Sequence, residues 1–166
     1  MSEREHVQLP LRILGFEPLY QRVAQTNHWN SAVACIATLV NEPIDEVLHV
    51  AVQQFNLPAD GRWAPAQKRM PDILAHYDWH IASQFREART VVDLPDQALI
   101  LLSKYPDQFA LFHRQKFDGG RPPMSYMINP ALGIPEEQQF RLDVDAILPC
   151  KYLHVCLMGE YMKDFW

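Results

Sequence analysis

The segment that most constrains how this chain folds is residues 32–40, AVACIATLV, apolar at every position except Thr38. Val33, Ile36, Ala37 and Val40 recur at i, i+3, i+4 and i+7, the helical period. The positions between them are apolar as well, so no face of this helix is suited to water. A helix apolar on all sides belongs in an interior, and the rest of the chain must supply its cover. The 166 residues are enough to build that cover as one domain spanning residues 1–166.

The spacing of apolar residues, Pro, Gly and Asn divides the chain into two halves. Residues 1–24, with Pro10 and Pro18, read as an extended lead-in. The buried helix runs from Ser31 to about Asn41. Asn41 then caps a second helix opened by Pro43, with Asp45 and Glu46 in its first turn and Ile44, Val47, Leu48 and Ala51 on one face. Residues 57–70 read as a loop, and Pro71 and Asp72 begin a third helix that ends near Trp79. Beyond it, residues 80–85, 98–103, 109–114, 124–129, 139–143 and 153–157 are short strand-like segments between Pro, Gly, Asp and Asn turns. Helices first and strands second predict an α+β fold, with N-terminal helices packed on a C-terminal antiparallel sheet.

Charge and composition exclude several function classes. There are 15 basic against 20 acidic residues, a formal charge of −5, and no basic run interleaves with aromatics, so no nucleic-acid footprint is expected. No apolar run approaches the roughly 18 residues of a membrane helix, so no membrane insertion is expected. The first residues, MSEREHVQLPLRILGF, are charged and broken by Pro10, unlike the apolar core of a secretory signal. Cys35, Cys150 and Cys156 are an odd number, with Cys35 inside the buried helix, which fits reduced thiols in a cytoplasm. An effector secreted by a signal-free route would read the same way.

CKYLHVC places Cys150, His154 and Cys156 on one strand face. At about 3.3 Å per residue, Cys150 and His154 stand roughly 13 Å apart, and no CxxC partner lies elsewhere. No metal and no cofactor is expected.

Two readings meet at the start of the buried helix. Asn30 and Ser31 are both favoured N-cap types and suffice to begin a helix. The same place, with unsatisfied amides and the positive end of the helix dipole, suits a nucleophile or an oxyanion, and Gln25 precedes Ser31 by six residues. A helix-terminal nucleophile, an upstream glutamine amide, a histidine base from the sheet and an Asp or Asn to orient it make a cysteine-peptidase site. The helix-then-sheet order delivers them in that sequence. Two later segments are candidates for the sheet's share: YPDQFALF, with Gln108, and MSYMINPALG, with Asn129-Pro130.

From about residue 20 to residue 158 the chain resembles the papain-like peptidases that cut double-glycine leaders from bacteriocin precursors. That family shows Gln, five residues and Cys opening a helix, later His-Phe followed by alternating apolar residues, then a strand ending in Asp-Pro. Here Gln25 keeps the oxyanion position and its spacing. Ser31 stands where the cysteine would be, Gln108 where the histidine would be, and Asn129 where the aspartate would be. Ala131-Leu132-Gly133 and the segment 135–140 also look like the family's tail. The resemblance implies a papain-like fold in a degenerate form, without catalytic Cys or His. Serine is a poor nucleophile unless a base accepts its proton, and glutamine takes up no proton near neutral pH.

Three functions follow as expectations. The first is a catalytically inactive domain that binds a peptide or protein partner in the former substrate groove. The second is an active hydrolase or acyl-transfer enzyme using Ser31 or Cys35 with an atypical base such as His28. In the third, an interaction protein carries its active surface elsewhere, for example on Phe165 and Trp166. His113, at an odd offset from Gln108, is expected on the opposite strand face. The ligand, the pathway and the oligomeric state stay open.

Overall fold

The structure, a computed structural model, describes residues 16–104 and 106–163, the last by its backbone alone. Pro10, Phe165 and Trp166 therefore lie outside the described residues. Three helices come first, α1 (Ser31–Val40), α2 (Ile44–Phe55) and α3 (Ala66–His76). The strands follow: β1 (Trp79–Ile81), β2 (Arg86–Ala88), β3 (Gln97–Ser103), β4 (Gln108–Gln115) and β5 (Met124–Ile128). A short α4 (Glu136–Gln139), β6 (Phe140–Arg141), β7 (Cys150–Leu157) and α5 (Met158–Lys163) complete the order. This is the α+β arrangement, with the helices on an antiparallel sheet.

The sheet runs β1-β7-β3-β4-β5-β6, with β2 also paired to β7. All its pairings are antiparallel. Both of its faces are buried. Leu99, Phe109, Leu111, Tyr126, Ile128, Leu153 and Val155 face the helices, and α1 is buried over Ser31–Leu39. Ala98, Ile100, Ala110, Phe112, Met127 and Tyr152 face the other way. There, Leu94 and Val144, beside or within 3-10 turns, cover them. Burial on both sides is why β3 and β4 read as continuous apolar runs rather than as alternating strands. Among the described residues, no helix is long and apolar enough to cross a membrane.

Several boundaries differ from expectation, each for a physical reason. Asn41 ends α1 rather than capping α2: it adopts the left-handed conformation at φ 58°, and Pro43 takes the N-cap position of α2. Asparagine serves both roles, because its short polar side chain tolerates that region. Helix α3 begins at Ala66, five residues before Pro71, so Pro71 lies inside it. Good helix formers and the burial of Ala66 and Met70 outweigh the hydrogen bond that proline removes. Of the segment 80–85 only residues 80–81 are strand, as part of β1, and β2 begins just after it at Arg86; both strands pair with β7. Of 139–143 only Phe140–Arg141 pairs, whereas β7 starts three residues earlier than expected.

Residues 16–24 have neither helix nor strand, yet they are pinned along the sheet. The Phe16 ring meets Phe117 and Tyr126. Gln115 accepts the Leu19 N–H at 2.8 Å and donates to the Glu17 carbonyl at 2.9 Å. This segment delivers the chain to Gln25 and the start of α1.

Candidate functional site

The turn before α1 is folded by Asn30. Its Oδ1 accepts the N–H groups of Thr26 and Asn27 at 3.2 and 3.4 Å, and its Nδ2 donates to Thr26 Oγ1 at 2.7 Å. Asn30 holds the N-cap position, but its side chain makes no cap bond to the helix. It closes the loop that presents His28 and Trp29.

Ser31 is fully buried. The Phe109 N–H donates to Ser31 Oγ at 2.7 Å, and Ser31 Oγ donates back to the Phe109 carbonyl at 3.1 Å. Sheet register explains this pairing. The Arg114 N–H points toward β3, donating to Asp96 O. Main-chain groups alternate sides along a strand, so those of the odd-numbered residues of β4 point toward β5. Leu111 pairs with Ile128, which puts Pro130, just past the end of β5, opposite Phe109. Proline has no N–H to donate, and the Pro130 carbonyl already accepts the Gln25 N–H at 2.8 Å. The Ser31 hydroxyl therefore takes the place of the missing strand neighbour and satisfies both polar groups of Phe109.

The other candidate residues gather around the same strand ends. Gln108, at the start of β4, donates from Nε2 to the His28 carbonyl at 3.1 Å. Asn129 accepts the Ala131 N–H on Oδ1 at 3.0 Å, and its carbonyl accepts Arg22 Nε at 2.8 Å. Gln25 is 4% exposed; its Nε2 donates to the Asn27 carbonyl at 3.1 Å, while Oε1 is buried without a hydrogen-bond partner. The backbone thus brings Gln25, Ser31, Gln108 and the turn after Asn129 together. Among the described residues, the hydrogen bonds of these side chains run to main chain.

Among the described residues, His28, Cys35 and His113 are the candidate sources of a base or a second nucleophile, and the Ser31 hydroxyl bonds to Phe109 instead of to any of them. His28 offers its carbonyl to Gln108, and its side chain is exposed. Cys35, one helical turn below Ser31, is 1% exposed, and burial pushes its thiol far above the ordinary range. It has almost no thiolate at neutral pH. His113 lies on the same face as Phe109 and Leu111, opposite to Gln108 as its offset predicts. Four residue steps along the strand carry it about 13 Å from Phe109, too far to serve Ser31.

His113 belongs to a polar cluster that sequence reasoning missed. Its Nδ1 lies 2.9 Å from Tyr126 Oη, which also accepts the Tyr20 N–H at 3.4 Å, and Gln97 donates to Tyr20 Oη at 3.1 Å. Burial lowers the pKa of His113 to about 4, so the imidazole is neutral at physiological pH. Burial also raises Tyr20 to about 12. The signal was present in the alternation of Phe109, Leu111 and His113. A histidine on a buried face requires a polar partner.

An open cleft of about 280 Å³ adjoins these strand ends, lined in part by Glu87, Leu101, Ser103, Pro149, Cys150 and Lys151. Ser103 pairs across the strands with Gln108, and Leu101 with Phe109. Among the described residues, no three His, Cys, Asp or Glu side chains are grouped to hold a metal, and Cys35, Cys150 and Cys156 are free thiols.

The chain matches no protein-family model, no curated protein and no solved structure.

Proposed function

We propose that this chain is a papain-like domain without hydrolytic chemistry that binds a peptide or protein partner over the former substrate site. The observation that carries the reading is the state of Ser31. Its oxygen is buried and accepts one hydrogen bond, and its hydrogen is given to the Phe109 carbonyl. A serine nucleophile needs a base to take that hydrogen, and the neighbouring strand position holds Gln108, which cannot. The helix start, the first residue of β4 and the turn after β5 meet as the resemblance implies, and this supports the papain-like reading. A partner would meet the surface above Ser31, formed by Trp29, Gln108 and the cleft beside Leu101 and Ser103, rather than reach Ser31 itself.

The test is calorimetric titration of the full chain with extended peptides ending in Gly-Gly, the leader chemistry that the resemblance implies, and with unrelated extended peptides. Mass spectrometry then follows the bound peptide for a day. Binding with the peptide intact is expected. Cleavage would overturn the non-catalytic reading, and absence of binding to every peptide would overturn the partner-binding reading.

A further inference from the structure

We infer that Trp29 and Arg62 form a preorganised pair that captures an acidic side chain on an extended segment of the protein partner. The inference rests on the reading of this surface as a binding site and adds the chemistry that it selects. Trp29 is 40% exposed, and the Arg62 guanidinium carbon lies 3.8 Å from the centre of its ring. Such a stack fixes the plane of the guanidinium, and its fork matches a carboxylate in two parallel hydrogen bonds.

The two loops that present the pair are braced against each other. The Trp29 N–H donates to Asn27 Oδ1 at 2.8 Å, and Asn27 Nδ2 donates to the Asp60 carbonyl at 2.9 Å. Gly61, at φ +79°, sits so close that a Cβ there would fall 2.6 Å from the Asn30 Cβ. A side chain held before binding loses less entropy on binding.

Arg62 keeps capacity for a partner. Its side chain is 53% exposed, and Asp60 Oδ2 lies 3.9 Å from its Nε, the loose end of an ion pair. The other Asp60 oxygen accepts the Arg62 N–H at 2.9 Å and holds the turn. Position argues for a protein segment rather than a small free carboxylate. His28, next to Trp29, is bonded to Gln108, which is paired with Ser103 at the cleft. A chain with an acidic residue on Arg62 would continue across Trp29 toward the apolar lining at Leu101 and Pro149. Trp and Arg side chains that become buried on binding are the kind of anchor that dominates interface energetics.

The experiment selects twelve-residue peptides from a random display library on the full chain, followed by fluorescence anisotropy of the enriched peptides. Enriched sequences should share an Asp or Glu at one position. Arg62→Gln and Trp29→Ala should each weaken binding about tenfold. Replacing the peptide's acidic residue by its amide should cost about the same, and should cost little more once Arg62 is changed. Enriched peptides with no acidic position, or affinity unchanged within about twofold in Arg62→Gln, would overturn this inference and leave partner binding standing. Failure to enrich any peptide would overturn both.

Discussion

Replacing Ser31 by alanine should destabilise the fold, and the size of the loss separates a structural serine from a catalytic one. The hydroxyl satisfies the N–H and the carbonyl of Phe109, a residue 1% exposed, at a strand position that Pro130 cannot serve. Removing it leaves both groups buried without partners, at roughly 1–3 kcal/mol each. Allowing for relaxation or an admitted water, the net loss is about 2–4 kcal/mol, or roughly 5–15 °C in Tm for a domain of this size. Gln108→Ala removes one bond to the His28 carbonyl at a partly exposed position and should cost less than about 1 kcal/mol. Urea unfolding followed by circular dichroism measures both. If Ser31→Ala unfolds within about 0.5 kcal/mol of the parent, Ser31 does not complete the sheet, and the physical account of the site fails. Catalytic residues are often replaced at little cost in stability, so that result would return Ser31 to the active-hydrolase reading.

Three further outcomes follow from the same geometry. The pKa of His113 is lowered to about 4 in the folded chain against about 6.5 unfolded. The unfolded chain therefore binds more protons in that window, and stability should fall as pH drops from about 6.5 toward 4, by up to about 1.4 kcal/mol per unit. Urea midpoints at pH 7 and pH 5 measure this fall, and His113→Gln should flatten it. Gly61→Ala, which puts a Cβ 2.6 Å from the Asn30 Cβ at φ +79°, should cost about 1–3 kcal/mol by the same assay. Cys35 should resist alkylation by iodoacetamide at pH 7.5 in the folded chain and react once urea unfolds it; rapid modification under native conditions would contradict its burial.

The fold was legible where a sequence pattern faces a single physical demand. Residues 32–40 had to be buried whatever surrounded them, and helix-then-strand order carries the α+β class. The pattern failed where one residue type serves two ends. Asn41 starts or stops a helix equally well, and Pro71 marks a helix start unless tertiary burial extends the helix past it, as Met70 does. Strand β2, REA, has no apolar signal because β7, more than sixty residues away, supplies its pairing. The site was legible as a set of positions and illegible as chemistry. The spacing of Gln25 and Ser31, and the resemblance to papain-like peptidases, drew attention to Gln25, Ser31, Gln108 and Asn129. That Ser31 completes a strand where β5 stops at Pro130 depends on register across 78 residues of chain, which no local pattern encodes. The burial of His113 was legible in its alternation with Phe109 and Leu111, but its partners Tyr126, Tyr20 and Gln97 were not, since they come from the lead-in and two different strands.

The most direct test of the central claim, that Ser31 holds the sheet and does no chemistry, is its reactivity. The folded chain is incubated with a fluorophosphonate, which phosphonylates activated serines, and its intact mass is then measured. No added mass is expected, because the Ser31 hydroxyl is buried and its hydrogen is given to the Phe109 carbonyl rather than, among the described residues, to a base. A stoichiometric adduct mapped to Ser31 would contradict the account and favour the active-hydrolase reading.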